Sequence, residues 1–389
     1  MPNKQVPAVS NNYFESNQAM LDFQDVITHY AAQQDGATRT LAQSLLHPHT
    51  RPPLYYFGRN ELSAGLHDVI PADGFIDDFA PSGTTWHAMP VVALAQLDKG
   101  SVIVNCVINA KPRTAFSRLA QAGFSQLLSY ADLCRAMPEH IPLPDFVAAT
   151  RADVTASPAK WAAIYAKLAD SASRQVFNDV LRYRLTADHT CLNAYAFRPH
   201  EQYFEDFMHF NREVFVDAGG FDGDTTEQFC QRYPDYQKVY LFEPASANLT
   251  LAKSRLTGFR DIEFIEKGVS NESGTLYFNA NQGSASAISD SGDSSIEVTT
   301  IDACVSAPVS FIKMDLEGWE INALTGARDH ILTDHPKLAI AVYHRPSDFW
   351  GVFELIIGLR DDYQVYLRHY TESWTETVMF FLPAPATKN

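Results

Sequence analysis

Short apolar runs alternate with longer amphipathic segments over the second half of the chain. Four of these runs stop at an ionisable residue: Val214–Val216 before Asp217, Val239–Phe242 before Glu243, Val309–Met314 before Asp315 and Lys337–Tyr343 before His344. Short apolar runs bounded by turn residues are typical of buried strands. Ile262–Ile265, Tyr363–Leu367 and Thr377–Leu382 predict three further strands, the last two paired antiparallel. The pattern predicts an α/β fold with a Rossmann-like, seven-stranded sheet.

The first half of the chain predicts a smaller sheet. Its strands are expected at Leu54–Phe57, Gly74–Asp78, Val102–Ile108 and Gln126–Tyr130, after a helix over Gln18–Gln34. A chain of 389 residues is long for one domain. We therefore expect an N-terminal extension and helix over residues 1–52, a small Rossmann-like α/β domain over 53–140, a helical connector over 141–205 and the large α/β domain over 206–389.

A glycine-rich loop follows the strand that ends at Asp217. It contains Gly219, Gly220 and Gly223 and leads into a helix that starts near Asp224 and Thr225. The spacing nearly matches a dinucleotide fingerprint, with Ala218 in place of the first glycine. Asp217, Asp222 and Asp224 are expected to surround the ligand, and like charge disfavours a pyrophosphate. The loop therefore favours a cationic ligand without phosphate, such as S-adenosylmethionine.

Two further segments are expected to hold the adenosine part of such a ligand. Glu243, followed by Pro244, ends the second strand, where a carboxylate accepts hydrogen bonds from ribose hydroxyls. Gly268 and Val269 follow the third strand, and a glycine there permits close approach of an adenine ring.

Charge and cysteine content exclude several classes of function. The formal net charge of −16 argues against nucleic-acid partners and anionic membranes, which require clustered lysine and arginine. The five cysteines are odd in number and widely spaced, which predicts free thiols in a reducing compartment. No run approaches the ~20 apolar residues of a membrane span, so we expect no membrane insertion and a cytoplasmic location. The sequence leaves homo-oligomerisation open.

From about Gln202 to Leu382 the chain resembles the FkbM family of S-adenosylmethionine-dependent methyltransferases. The resemblance rests on Glu213–Gly219 with Gly223–Thr225, on Phe242–Pro244 and above all on Phe311–Glu320. It implies O-methylation of a sugar, glycan precursor, polyketide or related small molecule. Trp319 stands where the family commonly has a small residue, and its ring is expected to reshape the pocket wall.

Methyl transfer to an alcohol requires alignment of the reacting atoms and removal of one proton. His344 is the first candidate for the base, because an imidazole has a pKa of about 6.5 and takes protons near neutrality. Lys313 and Asp315 complete the predicted catalytic set, with Asp315 also expected on the methionine ammonium. No metal site is assigned, although Asp315, Glu317 and Asp348 form a less favoured set of ligands for a divalent cation.

Other segments are expected at the acceptor side of the cleft. Arg182–Arg184, His369 and Tyr370 are candidate acceptor contacts, and Asn281–Ser286 is a candidate lid. Two alternatives remain open. One is a non-catalytic module that binds S-adenosylmethionine or a sugar nucleotide. The other is an NAD-dependent oxidoreductase that uses the N-terminal sheet. This sheet resembles the small Rossmann-like domains of sugar-nucleotide-modifying enzymes. Bulky residues in the loop Gly58–Gly65 disfavour binding of a dinucleotide there.

Overall fold

The structure, a computed structural model, describes residues 19–32, 34–278, 288–289 and 294–384. The predicted lid Asn281–Ser286 lies outside these residues. None of the described helices is long and apolar enough to cross a membrane. All five cysteines are free thiols, as the sequence predicts.

The N-terminal region forms a six-stranded sheet in the order β3-β4-β2-β1-β5-β6, in which every pair except β3–β4 is parallel. The elements are α1 Phe23–Thr28, α2 Gly36–Ser44, β1 Leu54–Phe57, α3 Glu61–Val69, β2 Gly74–Ile76, β3 Thr85–Trp86, β4 Met89–Val92, β5 Val102–Asn105, α4 Pro112–Gln121, β6 Leu127–Ser129 and α5 Tyr130–Ala136. The four predicted strands are present. The pair β3–β4, which has only six residues, was not predicted.

The prediction of one helix over Gln18–Gln34 is wrong. Asp22 caps the start of α1, which ends after six residues, and Asp35 caps a new helix by accepting a hydrogen bond from the amide of Thr38. Between these helices the Tyr30 ring is buried, and its hydroxyl donates to the carbonyls of Ala131 and Thr186. Leu21, Phe23 and Tyr30 are all buried, but only Phe23 lies in a helix.

Three helices form the connector, α6 Asp145–Ala156, α7 Pro158–Lys167 and α8 Ser171–Thr186. Helix α8 packs along a strand at the edge of the second sheet, where the hydroxyl of Ser173 accepts a hydrogen bond from the amide of Leu367 at 3.0 Å. Trp161 and Phe177 from this region are fully buried in the same core as the second sheet. The connector thus covers one side of that sheet.

The C-terminal region contains the predicted seven-stranded sheet. Its elements are β7 Val214–Ala218, α9 Asp224–Arg232, β8 Lys238–Phe242, α10 Ser246–Arg255, β9 Ile262–Ile265, β10 Gly268–Val269, β11 Gly274–Phe278, β12 Ile288–Ser289, β13 Ser294–Thr299, α11 Ile301–Cys304, β14 Phe311–Met314, α12 Glu320–Thr325, α13 Arg328–Thr333, β15 Lys337–Ala341, α14 Pro346–Leu359, β16 Tyr363–His369 and β17 Thr377–Pro383. The strand order is β16-β17-β15-β14-β7-β8-β9. Strand β17 runs antiparallel to β16, as predicted, and also to β15.

The register of the central strands gathers their carboxyl ends at one edge of the sheet. Strands β8, β7, β14 and β15 are consecutive neighbours and all parallel. Asp217 of β7 lies opposite Lys313 of β14. The residues of β7 and β14 are buried throughout, because helices cover both faces of a parallel sheet. Ligands of such sheets bind outside the carboxyl ends of the strands.

Candidate active site

The glycine loop after β7 uses its own amides inside the protein. The amides of Gly219 and Gly220 donate to the carbonyl of Phe242, that of Gly223 donates to the carbonyl of Gly220, and that of Phe221 donates to Glu243. A pyrophosphate site needs free amides that point at the ligand. These four amides are already paired, so the loop does not offer a phosphate cradle.

Gly219 and Gly220 allow the loop to lie directly against the ends of two strands. Gly219 has a φ of +79°, and a Cβ there would lie 2.1 Å from the carbonyl oxygen of Asp315. At Gly220 a Cβ would lie 2.5 Å from Cγ of Leu241. Any side chain at these two positions would push the loop off the ends of β14 and β8.

Asp217 is fully buried beneath the loop and does not face the cleft. Its Oδ1 lies 3.0 Å from Nζ of Lys313, and its Oδ2 accepts a hydrogen bond from the hydroxyl of Thr226 at 2.7 Å. Lys313 is also buried and donates to the carbonyl of Gly219 at 2.8 Å. Burial by itself lowers the pKa of Lys313, but the charges of Asp217 and Asp315 raise it above the ordinary value. Both residues thus position the loop from below.

The expected ring of three carboxylates does not form. Asp222 pairs with Arg255 at 2.6 Å, and Asp224 is exposed at the first residue of α9, where its carboxylate accepts a hydrogen bond from the amide of Thr225. Only Asp217 lies under the loop. The sequence placed the acids next to one another along the chain, but each side chain leaves the loop in a different direction.

Glu243 at the end of β8 has the position expected of a ribose ligand. The side chain is buried, Oε2 accepts the amide of Phe221 at 3.1 Å, and Oε1 accepts the amide of Ala245 at 2.9 Å. Asn248 donates to Oε1 at a longer distance of 3.3 Å. A carboxylate oxygen has two lone pairs, so Oε2 keeps one for a further donor. Pro244, half-buried, follows at the start of the loop to α10.

Gly268 and Val269, which are expected to lie against the adenine ring, form a short strand, β10. The side chain of Val269 is buried in the main core, and β10 pairs with β13. The next residue, Ser270, accepts a hydrogen bond from the indole of Trp319 at 3.2 Å. Trp319 therefore packs beside β10 rather than standing free in the cleft.

Asp315 at the end of β14 is held by two tyrosines. Its Oδ2 accepts a hydrogen bond from the hydroxyl of Tyr203 at 2.7 Å, and its Oδ1 accepts one from that of Tyr343 at 3.3 Å. Burial and the charge of Asp315 raise the pKa of both tyrosines, so both hydroxyls keep their protons and remain donors. These bonds fix the orientation of the Asp315 carboxylate.

His344 lies next to Asp315 at the end of β15. Its Nε2 is 3.4 Å from Oδ1 of Asp315, and its Nδ1 is 3.2 Å from Oε1 of Glu320. Burial lowers the pKa of His344, but Glu320, Asp315 and Glu317 together raise it to about 9. The imidazole is therefore protonated at neutral pH in this arrangement. This corrects the expectation of a base with an unperturbed pKa.

The structure also corrects the expected acceptor contacts and the alternative metal ligands. His369, Tyr370, Tyr183 and Arg184 are all buried away from the cleft. Arg184 donates to the carbonyls of Tyr343 and Trp374, so it supports the end of β15 from behind. Asp348 caps α14 through the amide of Arg345, and the side chain of Glu317 is 70% exposed. Neither joins Asp315 in a closed set of ligands.

Sequence reasoning missed Tyr203, Glu320 and Glu376. Tyr203 and Glu376 lie outside the quoted motif. The hydroxyl of Tyr203 donates a hydrogen bond to Asp315, and the neighbouring Gln202 donates one to Glu376 at 2.9 Å. Burial and the charge of Asp315 raise the pKa of Glu376 to about 7. Glu320 belonged to the quoted motif Phe311–Glu320, so its position was visible. Its function was not, because a glutamate at a helix start usually acts as a cap.

Comparison with known proteins supports a methyltransferase. Residues 217–378 match the model of the Methyltransferase FkbM domain. The crystal structure of Methyltransferase FkbM from Methylobacillus flagellatus KT has the same fold, with a TM-score of 0.70 and 23% identity over 92% of this chain and 99% of that chain. An rRNA methylase from Streptococcus thermophilus matches less closely, with a TM-score of 0.31 and 18% identity over 52% of this chain and 96% of that chain. No curated protein sequence matches.

The family match lies where the candidate site was built. It begins at Asp217 and includes Glu243, Asp315 and His344. The structural match to the Methylobacillus protein extends over both sheets, because it covers 92% of this chain. The α/β, Rossmann-like fold predicted from the sequence is confirmed. The chain is a methyltransferase that carries an FkbM domain over residues 217–378.

Proposed function

We propose that this methyltransferase transfers a methyl group from S-adenosylmethionine to a hydroxyl of a sugar or glycan precursor. The observation that carries the proposal is the Glu243 carboxylate, which is buried, held by the amides of Phe221 and Ala245 and placed beside the glycine loop. Its Oε2 retains a lone pair for a ribose hydroxyl. Glu243 therefore anchors the donor at the strand ends.

The glycine loop is consistent with a donor that has no phosphate. Its amides are paired inside the protein, so nothing in the loop replaces the hydration of a pyrophosphate. S-adenosylmethionine, when bound, supplies an electrophilic methyl carbon, to which the acceptor oxygen bonds as the carbon–sulfur bond breaks.

The acceptor side of the proposal rests on the cluster at the next two strand ends. Asp315, Glu317 and His344 lie together there. The half-buried Glu376 lies near Asp315, whose charge raises the pKa of Glu376, so additional negative charge at this place is unfavourable. Carboxylates accept hydrogen bonds from neutral hydroxyls but repel phosphates. The cluster therefore favours a neutral, hydroxyl-rich acceptor, and one of its carboxylates takes up the proton that the hydroxyl loses, because His344 is already protonated.

Titration of S-adenosylmethionine into the wild type and into Glu243→Ala tests the donor site. A hydrogen bond to a charged group contributes about 1.5–3 kcal/mol, so we expect the variant to bind at least roughly tenfold more weakly. Glu263→Ala is the matched control, because Glu263 lies on the neighbouring strand β9 in an exposed pair with Lys238. Equal affinity in all three proteins contradicts the proposed donor site, and circular dichroism checks that each is folded.

The acceptor is tested by mass spectrometry after incubation with S-adenosylmethionine and matched pairs of neutral and phosphorylated sugars. We expect methylation of a neutral member only. Donor binding without transfer to any acceptor would favour the non-catalytic alternative instead.

A further inference from the structure

We propose that Asp315, Glu320 and His344 bind a divalent cation. The three side chains come from the end of β14, the first residue of α12 and the end of β15. One ligand atom from each lies within 4.8 Å of the other two. His344 is 3.4 Å from Asp315 and 3.2 Å from Glu320. Metal–ligand bonds of about 2.1 Å separate adjacent ligands by about 3 Å, so small side-chain movements close the site.

Two of the ligands, His344 and Glu320, have buried side-chain atoms without a hydrogen-bond partner. The side chain of His344 is 9% exposed and that of Glu320 is 1% exposed. Both ring nitrogens of His344 and Oε2 of Glu320 lack hydrogen bonds. The carboxylate oxygens near the ring are at suitable distances, but their directions are not those of a hydrogen bond. Buried polar atoms are nearly always paired, and each exception requires an explanation. A cation bound to Oε2 of Glu320 and to one ring nitrogen of His344 would satisfy both of those atoms.

Hydrogen bonds from neighbouring groups hold the two carboxylates in place. Oε1 of Glu320 accepts the amide of Leu316 at 2.7 Å, and Asp315 accepts the hydroxyls of Tyr203 and Tyr343. Such outer contacts orient metal ligands and raise their affinity for the ion. The same oxygen, Oε1, is the one that lies 3.2 Å from Nδ1 of His344, and Oε2 has no hydrogen-bond partner.

The chemistry of the ligands indicates the class of ion. Two carboxylates and one neutral imidazole balance the charge of a divalent cation, whose binding displaces the proton of His344. The absence of thiolate among the three ligands disfavours soft metals. Carboxylates suit Mg²⁺ and Mn²⁺, whereas imidazole suits later transition metals. Mn²⁺ accepts both and is the probe of choice. Glu320 replaces the Glu317 and Asp348 that the sequence indicated as partners of Asp315.

The role of the ion rests on the proposed function. Three protein ligands leave coordination positions open, as in catalytic metal sites. A hydroxyl of the acceptor on an open position becomes more acidic, which reduces the need for a strong base among the protein groups. The ion would lie at the ends of β14 and β15, on the same sheet edge as the glycine loop after β7 and Glu243 after β8.

Isothermal titration of MnCl₂ into the full chain, after removal of metal with EDTA, tests the site without donor or acceptor. We expect one saturable site in the wild type and binding roughly tenfold or more weaker in Glu320→Gln. Glu354→Gln is the control, because Glu354 lies exposed on α14 and pairs with Lys160. Electron paramagnetic resonance should show the bound Mn²⁺ in the wild type and in the control.

Absence of saturable binding, or equal binding by Glu320→Gln, would overturn the proposal. If Glu320→Gln does not fold, Asp315→Asn serves the same purpose, because Asp315 is half-buried and the oxygen of its amide isostere still accepts from one tyrosine hydroxyl. Titration of S-adenosylmethionine into the EDTA-treated protein separates the two proposals. Donor binding without Mn²⁺ binding rejects only the metal site, and Mn²⁺ binding without donor binding rejects only the proposed function.

Discussion

At the scale of single residues, the site depends on a buried ion pair that does not touch the cleft. Asp217 and Lys313 are neighbours on adjacent strands, and the ammonium of Lys313 also binds the carbonyl of Gly219. Removal of one member of a buried pair leaves the other charge without compensation. The acid that marks the motif in the sequence therefore supports the loop mechanically and electrostatically.

We expect Asp217→Asn to lower the free energy of unfolding by about 3–5 kcal/mol, because Lys313 remains buried and charged. Urea denaturation measures this change. Glu263→Gln, which breaks the exposed pair with Lys238, should cost less than about 1 kcal/mol. The double variant Asp217→Asn with Lys313→Met should recover part of the loss. Wild-type stability in Asp217→Asn would show that the pair does not support the fold.

At the scale of elements, the glycine loop joins three strands by close backbone contact. Gly219 and Gly220 both bond to the carbonyl of Phe242 in β8, and Gly219 lies against the carbonyl of Asp315 after β14. The spacing of the glycines predicted a tight turn correctly. The amide hydrogens of these glycines point to the protein, because β7 and β8 are neighbours in the sheet. The sequence of the loop does not say which strands are neighbours.

Gly219→Ala should destabilise the protein by at least about 2 kcal/mol. A left-handed backbone costs a non-glycine residue about 1–2 kcal/mol, and the Cβ would also overlap the carbonyl oxygen of Asp315. Gly258→Ala is the control, since a Cβ there meets nothing within 4 Å. Urea denaturation of both variants measures the difference. Similar midpoints would mean that the loop can move away from the end of β14 without cost.

At the scale of the whole molecule, the N-terminal region and the connector contact the hairpin between β16 and β17, which lies at the same edge of the second sheet as the candidate site. Glu372, between β16 and β17, accepts hydrogen bonds from Arg113 and from the amide and hydroxyl of Thr114, at the start of α4. Nearby, His369 is buried beneath the connector, and its Nδ1 lies 3.0 Å from the hydroxyl of Thr377. Its burial is a product of tertiary packing, since the same residue on an isolated sheet edge would face solvent.

This packing predicts a pH dependence of stability. Burial, with the charges of Arg184 and Arg198, lowers the pKa of His369 from 6.5 to about 3. The unfolded chain therefore binds one more proton than the folded chain between these values, and stability falls as the pH decreases below 6.5. The slope is at most about 1.4 kcal/mol per pH unit. Urea denaturation from pH 8 to about pH 4.5 should show a shallower decrease for His369→Gln, and identical slopes would contradict the prediction.

The sequence by itself determined the strands, their carboxyl-end residues and the family likeness, because a strand and the residue that ends it are encoded locally by the side-chain pattern. Only the tertiary structure decided which groups meet. Tyr203 reaches Asp315 across 112 residues, and Arg255 draws Asp222 away from the loop across 33. The direction in which a side chain leaves its strand or loop, and the partner that it finds there, depend on packing between distant segments. For this reason the strand ends were predictable from the sequence. The prediction that three aspartates surround the glycine loop was wrong, and the position of Glu320 beside His344 was not predicted.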